Sequence, residues 1–496
     1  MNILQNLLRF WRCRPFSTFQ KKYQRFKLNL THQHLFKNTK SERAKMSKLL
    51  PKILLIFGVA LIVYSKYTSA LYSSLGFAII GYLATDALIP RVSDSFIKIG
   101  LYGKDLSKPG KPVIAETIGA VSATVYLFVM FLSIPFVFYK YLVVTSGGGN
   151  RDSEMMDKQH IHLVFPHGRL SAYLSALLCL HSTVLLGVAD DLFDLRWRHK
   201  FFLPSIAAIP LLVVYYADFG VTYVLVPNFV RDLFPALRRR VLFDLGWFYY
   251  VYMAAMAIFC PNAINILAGV NGLEVLQAIV LGVICLLNDV LYMSLGPEQT
   301  KESHLFSMVM IIPFIGVSLA LWKWNRWPAR VFVGDTYCYF AGMVFAVVGI
   351  LGHFSKTMLL FFIPQIVNFL YSVPQLFGLV PCPRHRLPKF NEKDGLLYTS
   401  RANLTEKPAK PFFVTILKYL YRFKLIDLTL DSKGNPVDCS NMTLINLVLV
   451  WFGPMREDKL CFSICGLQFA VGLLCLFARH AIGSLIFGHD NLWHVA

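Results

Sequence analysis

The chain has 496 residues, of which 56% are hydrophobic and only 16% charged, with a formal net charge of +21; its mean hydropathy is +0.52. So few charges cannot cover so much apolar surface in water, which excludes a soluble globular protein and points to a polytopic helical membrane protein. Ten cysteines are scattered, many inside apolar segments and none in a CxxC pair, so neither a disulfide framework nor a zinc site is indicated.

Residues 1–45 carry eleven Lys/Arg against one acid, Glu42. This stretch superficially resembles a transit peptide. An upstream extension, with a second start at Met46, or a basic arm touching anionic lipid is the preferred reading. Apolar windows follow near 69–90, 117–139, 170–189, 201–217, 245–268, 273–293, 305–322, 336–352, 357–380 and 461–487. Each is about the length a helix needs to cross the hydrocarbon layer. A further run at 53–64 is short and reads as a tilted or partial span. The expected fold class is an all-α polytopic membrane protein with about ten transmembrane helices, or eleven if 53–64 crosses, and a small α/β cytosolic insert before the last helix. The expected divisions are a basic extension with a short apolar run (1–68), a membrane catalytic body (69–380), a substrate-binding insert (381–440), and the last helix with its tail (441–496).

Within the insert, 412–423 reads as an amphipathic helix, 424–431 as a strand and Asp431 to Gly434 as a turn. Its sequons at Asn403 and Asn441 are chance matches if the insert faces the cytosol.

If the ten longer windows alternate sides, every polar cluster falls on one face. These are Lys104 to Glu116, ADDLFDLRWRHK at 189–200, NAINILAGVNGLE at 262–274, RVFVGDT at 330–336 and PCPRHR at 381–386. The Lys/Arg excess puts that face in the cytosol, though much of it lies in 381–440 and Arg238, Arg239 and Arg240 fall on the opposite side. Asp190 and Asp191 sit where lipid meets water, a costly place for acids and hence a functional candidate, with a snorkelling interfacial cluster as the structural alternative. Asn262 and Asn265 share one helix face and read as capping or packing amides or as ligands. Asp335 precedes an apolar span, as an N-cap or a ligand. An amide oxygen beside a carboxylate suits Mg²⁺. Phe332 is core or a base-stacking ring. Arg384, His385 and Arg386, between prolines, form a cationic loop suited to phosphate or sugar hydroxyls, and Lys104 and Lys200 add positive charge. No P-loop, HExxH or GxSxG pattern occurs.

Acids for Mg²⁺, cations for phosphate and a lipid-level site suggest phosphoryl transfer onto a lipid. From about residue 69 to 487, these motifs, with GILGHFSKTMLLFFIPQ at 349–365, resemble the polyprenyl-phosphate N-acetylhexosamine-1-phosphate transferases, in particular their dolichyl-phosphate branch. The resemblance implies an endoplasmic reticulum enzyme, its site facing the cytosol, that moves GlcNAc-1-phosphate from UDP-GlcNAc to dolichyl phosphate and releases UMP, beginning the N-glycan precursor. It assigns Mg²⁺ to Asn265 and Asp335, and the pyrophosphate to Arg384. It assigns the uridine to Gly269, Asn271, Phe332, Glu116 and the Leu106 backbone, and the GlcNAc to Trp197, His385 and Arg386. Lys200 would meet the transferred phosphate beside Asp190, Asp191 and Asp194. Two positions depart from the pattern: Lys104 stands where relatives carry Gln, and Asp194 where they carry Asn. Membrane lipid is an expected partner, a homodimer is left open, and no nucleic acid is expected. The alternative is a nucleotide-sugar or anion transporter, whose charges would lie inside the spans near the midplane. Direct displacement is preferred over an aspartyl-phosphate intermediate at Asp190 or Asp191.

Overall fold

A computed structural model describes residues 49–139, 165–234, 241–382, 387–405, 409–432 and 434–487. Two units divide the chain, Met1–Phe57 and Gly58–Ala496. Of the first, the described residues open an apolar helix, α1 (Leu49–Tyr67), whose 19 residues are long and apolar enough to cross a membrane; the run at 53–64 is thus the middle of a longer helix. The architecture below is that of the second unit.

Helix α2 (Ala70–Lys98) is followed by a hairpin, β1 (Tyr102–Lys104) with β2 (Val113–Ala115), and by α3 (Gly119–Val137) and α4 (His167–Phe193). Three short helices come next: α5 (Trp197–Lys200), α6 (Leu203–Ala207) and α7 (Ile209–Asp218). The window at 201–217, expected as one span, is therefore broken. Pro204 and Pro210 each stand in the first turn of their helix, where a missing N–H is harmless, and neither can continue a helix from before it. A second hairpin, β3 (Tyr223–Leu225) with β4 (Leu242–Asp244), flanks α8 (Asn228–Leu233). Then come α9 (Trp247–Ile266), α10 (Leu273–Leu295), α11 (Glu298–Asn325) and α12 (Asp335–Leu351). The window at 357–380 is also broken, into α13 (Ser355–Phe361) and α14 (Ile363–Leu376), bent by 65° with Pro364 opening the second piece. Among the described residues, eight helices are long and apolar enough to span, or nine if this bent pair counts as one.

Between α14 and the last helices lies a mixed segment. Strands β5 (Lys389–Asn391) and β6 (Leu396–Tyr398) pair, and β7 (Arg401–Asn403), β8 (Leu428–Leu430) and β9 (Pro436–Ser440) form a sheet ordered β7-β9-β8 around α15 (Pro411–Arg422). The helix expected at 412–423 and the Asp431 turn, where Gly434 N–H bonds Asp431 O, are present; the strand expected at 424–431 is confined to Leu428–Leu430, the extended reading of 381–390 meets β5 at its end, and β6, β7 and β9 were not anticipated. Arg401 ties this sheet together through Asp427, Asp438 and Thr429. Helices α16 (Leu444–Phe452) and α17 (Glu457–Phe487) end the described chain.

The core gathers round α12, in which every residue from Thr336 to Leu351 is buried and which packs against α3, α4, α9 and α11. A short helix apolar on all sides has to be surrounded by others. One close approach fixes the geometry that matters most: a Cβ added at Gly187 of α4 would lie 2.5 Å from the Thr336 Cα. Near the far end of α10, Asp289 accepts from Ser307 and pairs with His304 at 2.7 Å, all three buried; burial on this scale demands such partners.

Gly187→Ala is expected to lower stability by about 1–3 kcal/mol, since backbone must move to admit the methyl. Gly466→Ala in α17, where an added Cβ meets nothing within 4 Å, is expected to be neutral or to stabilise by up to about 1 kcal/mol. Thermal melting in detergent checks the pair, and equal melting temperatures would contradict it.

Candidate active site

The polar clusters meet at one end of the bundle. The β1–β2 hairpin is stitched to the segment before α12, where Phe332 N–H donates to Ala115 O at 2.7 Å and Gly119 N–H to Val333 O at 2.8 Å. The end of α9, the loop at 267–272, the start of α17 and Leu387 complete a cleft of about 380 Å³. Lys104, Leu106, Glu116, Asn265, Gly269, Asn271, Phe332 and Asp335, all singled out from the sequence, line it. A depression of about 440 Å³ over the insert, beside Tyr398 and Arg401, gathers none of them.

Lys200, Asp190 and Asp191 do not line the cleft but adjoin it through Asp335: Lys200 Nζ donates to Asp190 Oδ2 and to Asp335 Oδ2, both at 3.0 Å. Asp190 is 3% exposed and also accepts the Leu195 N–H at 3.1 Å. Burial alone would lower the pKa of Lys200, but Asp335 and then Asp190 outweigh it and hold the ammonium above the ordinary lysine value. Asp191 faces α12: its carboxylate accepts the N–H of Asp335 at 2.8 Å, that of Thr336 at 3.1 Å and the Thr336 hydroxyl at 2.5 Å. It thus caps α12 from another helix, satisfying orphan donors and complementing the positive helix end. Asp335 is therefore not the cap of its own helix; Gly334 occupies that position, and the Asp335 side chain is left to Asp190, Lys200 and Asn265.

Glu116 lies beside these acids. Burial first, then repulsion from Asp191 and Asp335, pushes its carboxyl above the ordinary glutamate value. Asn262 turns away from the cleft and donates to Ile258 O at 2.7 Å and Phe201 O at 3.4 Å, as a packing amide. Gly269 adopts φ +101°, and any side chain there would collide with Leu387. Asp194 ends α4 in the left-handed conformation (φ 47°), its N–H on Asp190 O, a geometry that Asp and Asn tolerate. Its exposed side chain does not join the Lys200 group. Trp197 opens α5, the helix that ends at Lys200. Arg384, His385 and Arg386 lie outside the described residues.

Sequence reasoning missed Asp105, Glu274 and Glu457. Glu274 accepts the Gly269 N–H at 2.7 Å, and Asp105 and Glu457 both bond Asn271. Glu457 stands in a charged cluster, Arg456 to Lys459, at the start of an apolar run, a span-end signal of the kind that marked the other sites.

Among the described residues no three His, Cys, Asp or Glu gather as a metal site. Asn265 and Asp335 offer one amide and one carboxylate oxygen, a sparse hard-oxygen set that fits Mg²⁺, which keeps waters and takes phosphate oxygens for the rest of its shell. Asp190, Asp191, Asp335 and Glu116 also crowd negative charge, so an anionic ligand needs a cation to enter.

Residues 173–353 match the sequence profile of glycosyl transferase family 4. The UDP-N-acetylglucosamine–dolichyl-phosphate N-acetylglucosaminephosphotransferase of Saccharomyces cerevisiae is 69% identical, over 89% of this chain and 100% of its own. The proteins of that name from Schizosaccharomyces pombe and Dictyostelium discoideum are 53% and 41% identical, over 88% and 76% of this chain and 97% and 81% of theirs. With identity of that extent over most of its length, the chain belongs to the UDP-N-acetylglucosamine–dolichyl-phosphate N-acetylglucosaminephosphotransferase family.

Proposed function

We propose that this protein transfers GlcNAc-1-phosphate from UDP-GlcNAc to dolichyl phosphate, releasing UMP, in the endoplasmic reticulum membrane with its cleft toward the cytosol, as the first step of N-glycan precursor synthesis. The observation that carries the reading is the Lys200 ammonium held between Asp190 and Asp335 at the edge of the cleft. A transporter would line the interior of its spans with charge. Among the described residues, the cluster of Asp289 with His304 and Ser307 inside the spans is sealed in packing and does not line the cleft.

The acceptor phosphate has a second pKa near 6, so its oxygen is largely anionic at neutral pH and needs no strong base. It bonds the β-phosphorus while the bond from that phosphorus to the bridging oxygen breaks, and the oxygen leaves with UMP. Asp190 and Asp191 are already engaged, the first by Lys200 and Leu195 and the second by three donors of Asp335 and Thr336. An aspartyl-phosphate would require one of them to abandon its partners, so direct displacement is the supported route. Asn265 and Asp335 would hold Mg²⁺, which neutralises pyrophosphate charge. Lys200 places positive charge where the two anions converge. Phe332 and Gly269 bracket the base, and Glu116 takes the ribose. Arg384 for pyrophosphate, and Trp197, His385 and Arg386 for the sugar, rest on family resemblance alone.

Purified protein is expected to form UMP from UDP-GlcNAc only when dolichyl phosphate and Mg²⁺ are both present, and to stop on chelation. Asp335→Asn should cut the rate by about 10²-fold or more with the protein still folded, Asn265→Ala similarly, and Asn262→Ala far less. UMP released stoichiometrically without acceptor would overturn direct displacement, and full activity of Asp335→Asn would remove that residue from the site.

For orientation, Glu392→Cys in the insert and Asp232→Cys in the link between α7 and α9 are both exposed positions. An impermeant maleimide applied to sealed microsomes should label the first at once and the second only after the membrane is opened. The reverse pattern would place the cleft in the lumen.

A further inference from the structure

Asn271 sits in the loop between α9 and α10 and meets residues from both ends of the chain. Its backbone N–H donates to Glu457 Oε1 at 2.8 Å. Its Nδ2 donates to Asp105 Oδ2 at 3.0 Å and to Glu457 Oε2 at 3.2 Å. Glu457 begins α17 and Asp105 follows β1; both are buried. Asp105 is itself held by Lys108 and by the Ser107 N–H at 3.1 Å.

A carboxamide has two nearly isosteric ends, and its orientation is decided by what surrounds it. The Asp105 carboxylate, paired with Lys108, only accepts hydrogen bonds, and Glu457 accepts the backbone N–H and Nδ2 of Asn271, so the NH₂ belongs on that side. The flipped amide would press its carbonyl against the Asp105 carboxylate. Among the described residues nothing donates to Asn271 Oδ1, and Asn271 lines the cleft with Phe332 and Gly269.

We infer that Glu457 and Asp105 are positioning residues that hold the Asn271 carbonyl toward the cleft, so that the base pocket selects a ring edge that donates an N–H over one that accepts. Uracil donates at N3, whereas cytosine presents a bare acceptor there. Phe332 offers both pyrimidines the same flat face, so stacking does not separate them and the amide does. The inference rests on the uridine-nucleotide reading of the cleft. A polar site of this kind rejects the mismatched ligand because a buried acceptor is left facing another acceptor.

The test is calorimetric titration of the full-length protein in detergent with UDP, CDP and N3-methyl-UDP. The wild type is expected to bind UDP about tenfold or more tightly than either of the others. Glu457→Gln, whose side-chain amide can donate to a flipped Asn271, is expected to narrow the UDP-to-CDP ratio to within about threefold. Phe332→Leu should weaken both ligands and leave the ratio in place. A ratio unchanged in Glu457→Gln while UDP still binds would overturn the inference, as would a wild type indifferent to N3 methylation. Should Glu457→Gln fail to fold, Asp105→Asn carries the same expected narrowing, and its absence counts equally against the proposal. A wild type that binds no UDP would instead overturn the nucleotide reading itself.

Discussion

Lys200 donates to Asp190 and Asp335 at 3.0 Å each, and through them it joins the end of α4, the short α5 and the start of α12. The two carboxyls lie within hydrogen-bonding reach of each other, and as two anions at about 4 Å they would repel by about 4 kcal/mol at a partly buried site. Without the ammonium they would separate or take up a proton. The next acid along α4, Asp191, caps α12 at Asp335 and Thr336, and Gly187, one turn earlier, lets the two helices approach closely enough for that cap to form. One residue pair, Asp190 and Asp191, thereby does two things: it ties Lys200 in place and it fixes the backbone from which Asp335 projects.

This arrangement explains why the acids are poor candidates for covalent chemistry. Each is already satisfied, and loss of a partner would leave a buried group uncompensated. Their negative charge serves a different end. In the proposed reaction it holds a lysine charged and rigid where the two phosphates would meet, and it would favour a divalent cation there. The hydrogen-bonded hairpin at Ala115 and Phe332 and the last helix at Glu457 then bring the cleft proposed to take the base to the same point from distant parts of the chain.

Much of this was legible in the sequence because span-end acids and amides are costly beside lipid and therefore stand out. The structure brings Lys104, Glu116, Asn265, Asn271, Phe332 and Asp335 into one cleft, although the ten-span alternation from which one face was counted does not hold. What the sequence hid were contacts with no local signature. That Asp191 caps a helix 144 residues away, or that Glu457 reaches Asn271 across 186, depends on how helices pack. Window counting overshot at 201–217 and 336–352, which leave helices of 10 and 17 residues, too short to count as spans. At 357–380 a proline break divides the window, which remains a candidate span as a bent pair.

The most direct test of the shared ammonium is a double-mutant cycle on the transfer rate, with Lys200→Met, Asp335→Asn and the pair combined. If the two groups act as one unit, the double variant will be about as slow as the slower single variant, because the second change removes an interaction already lost. Losses that multiply, each variant contributing its full factor independently, would contradict the account.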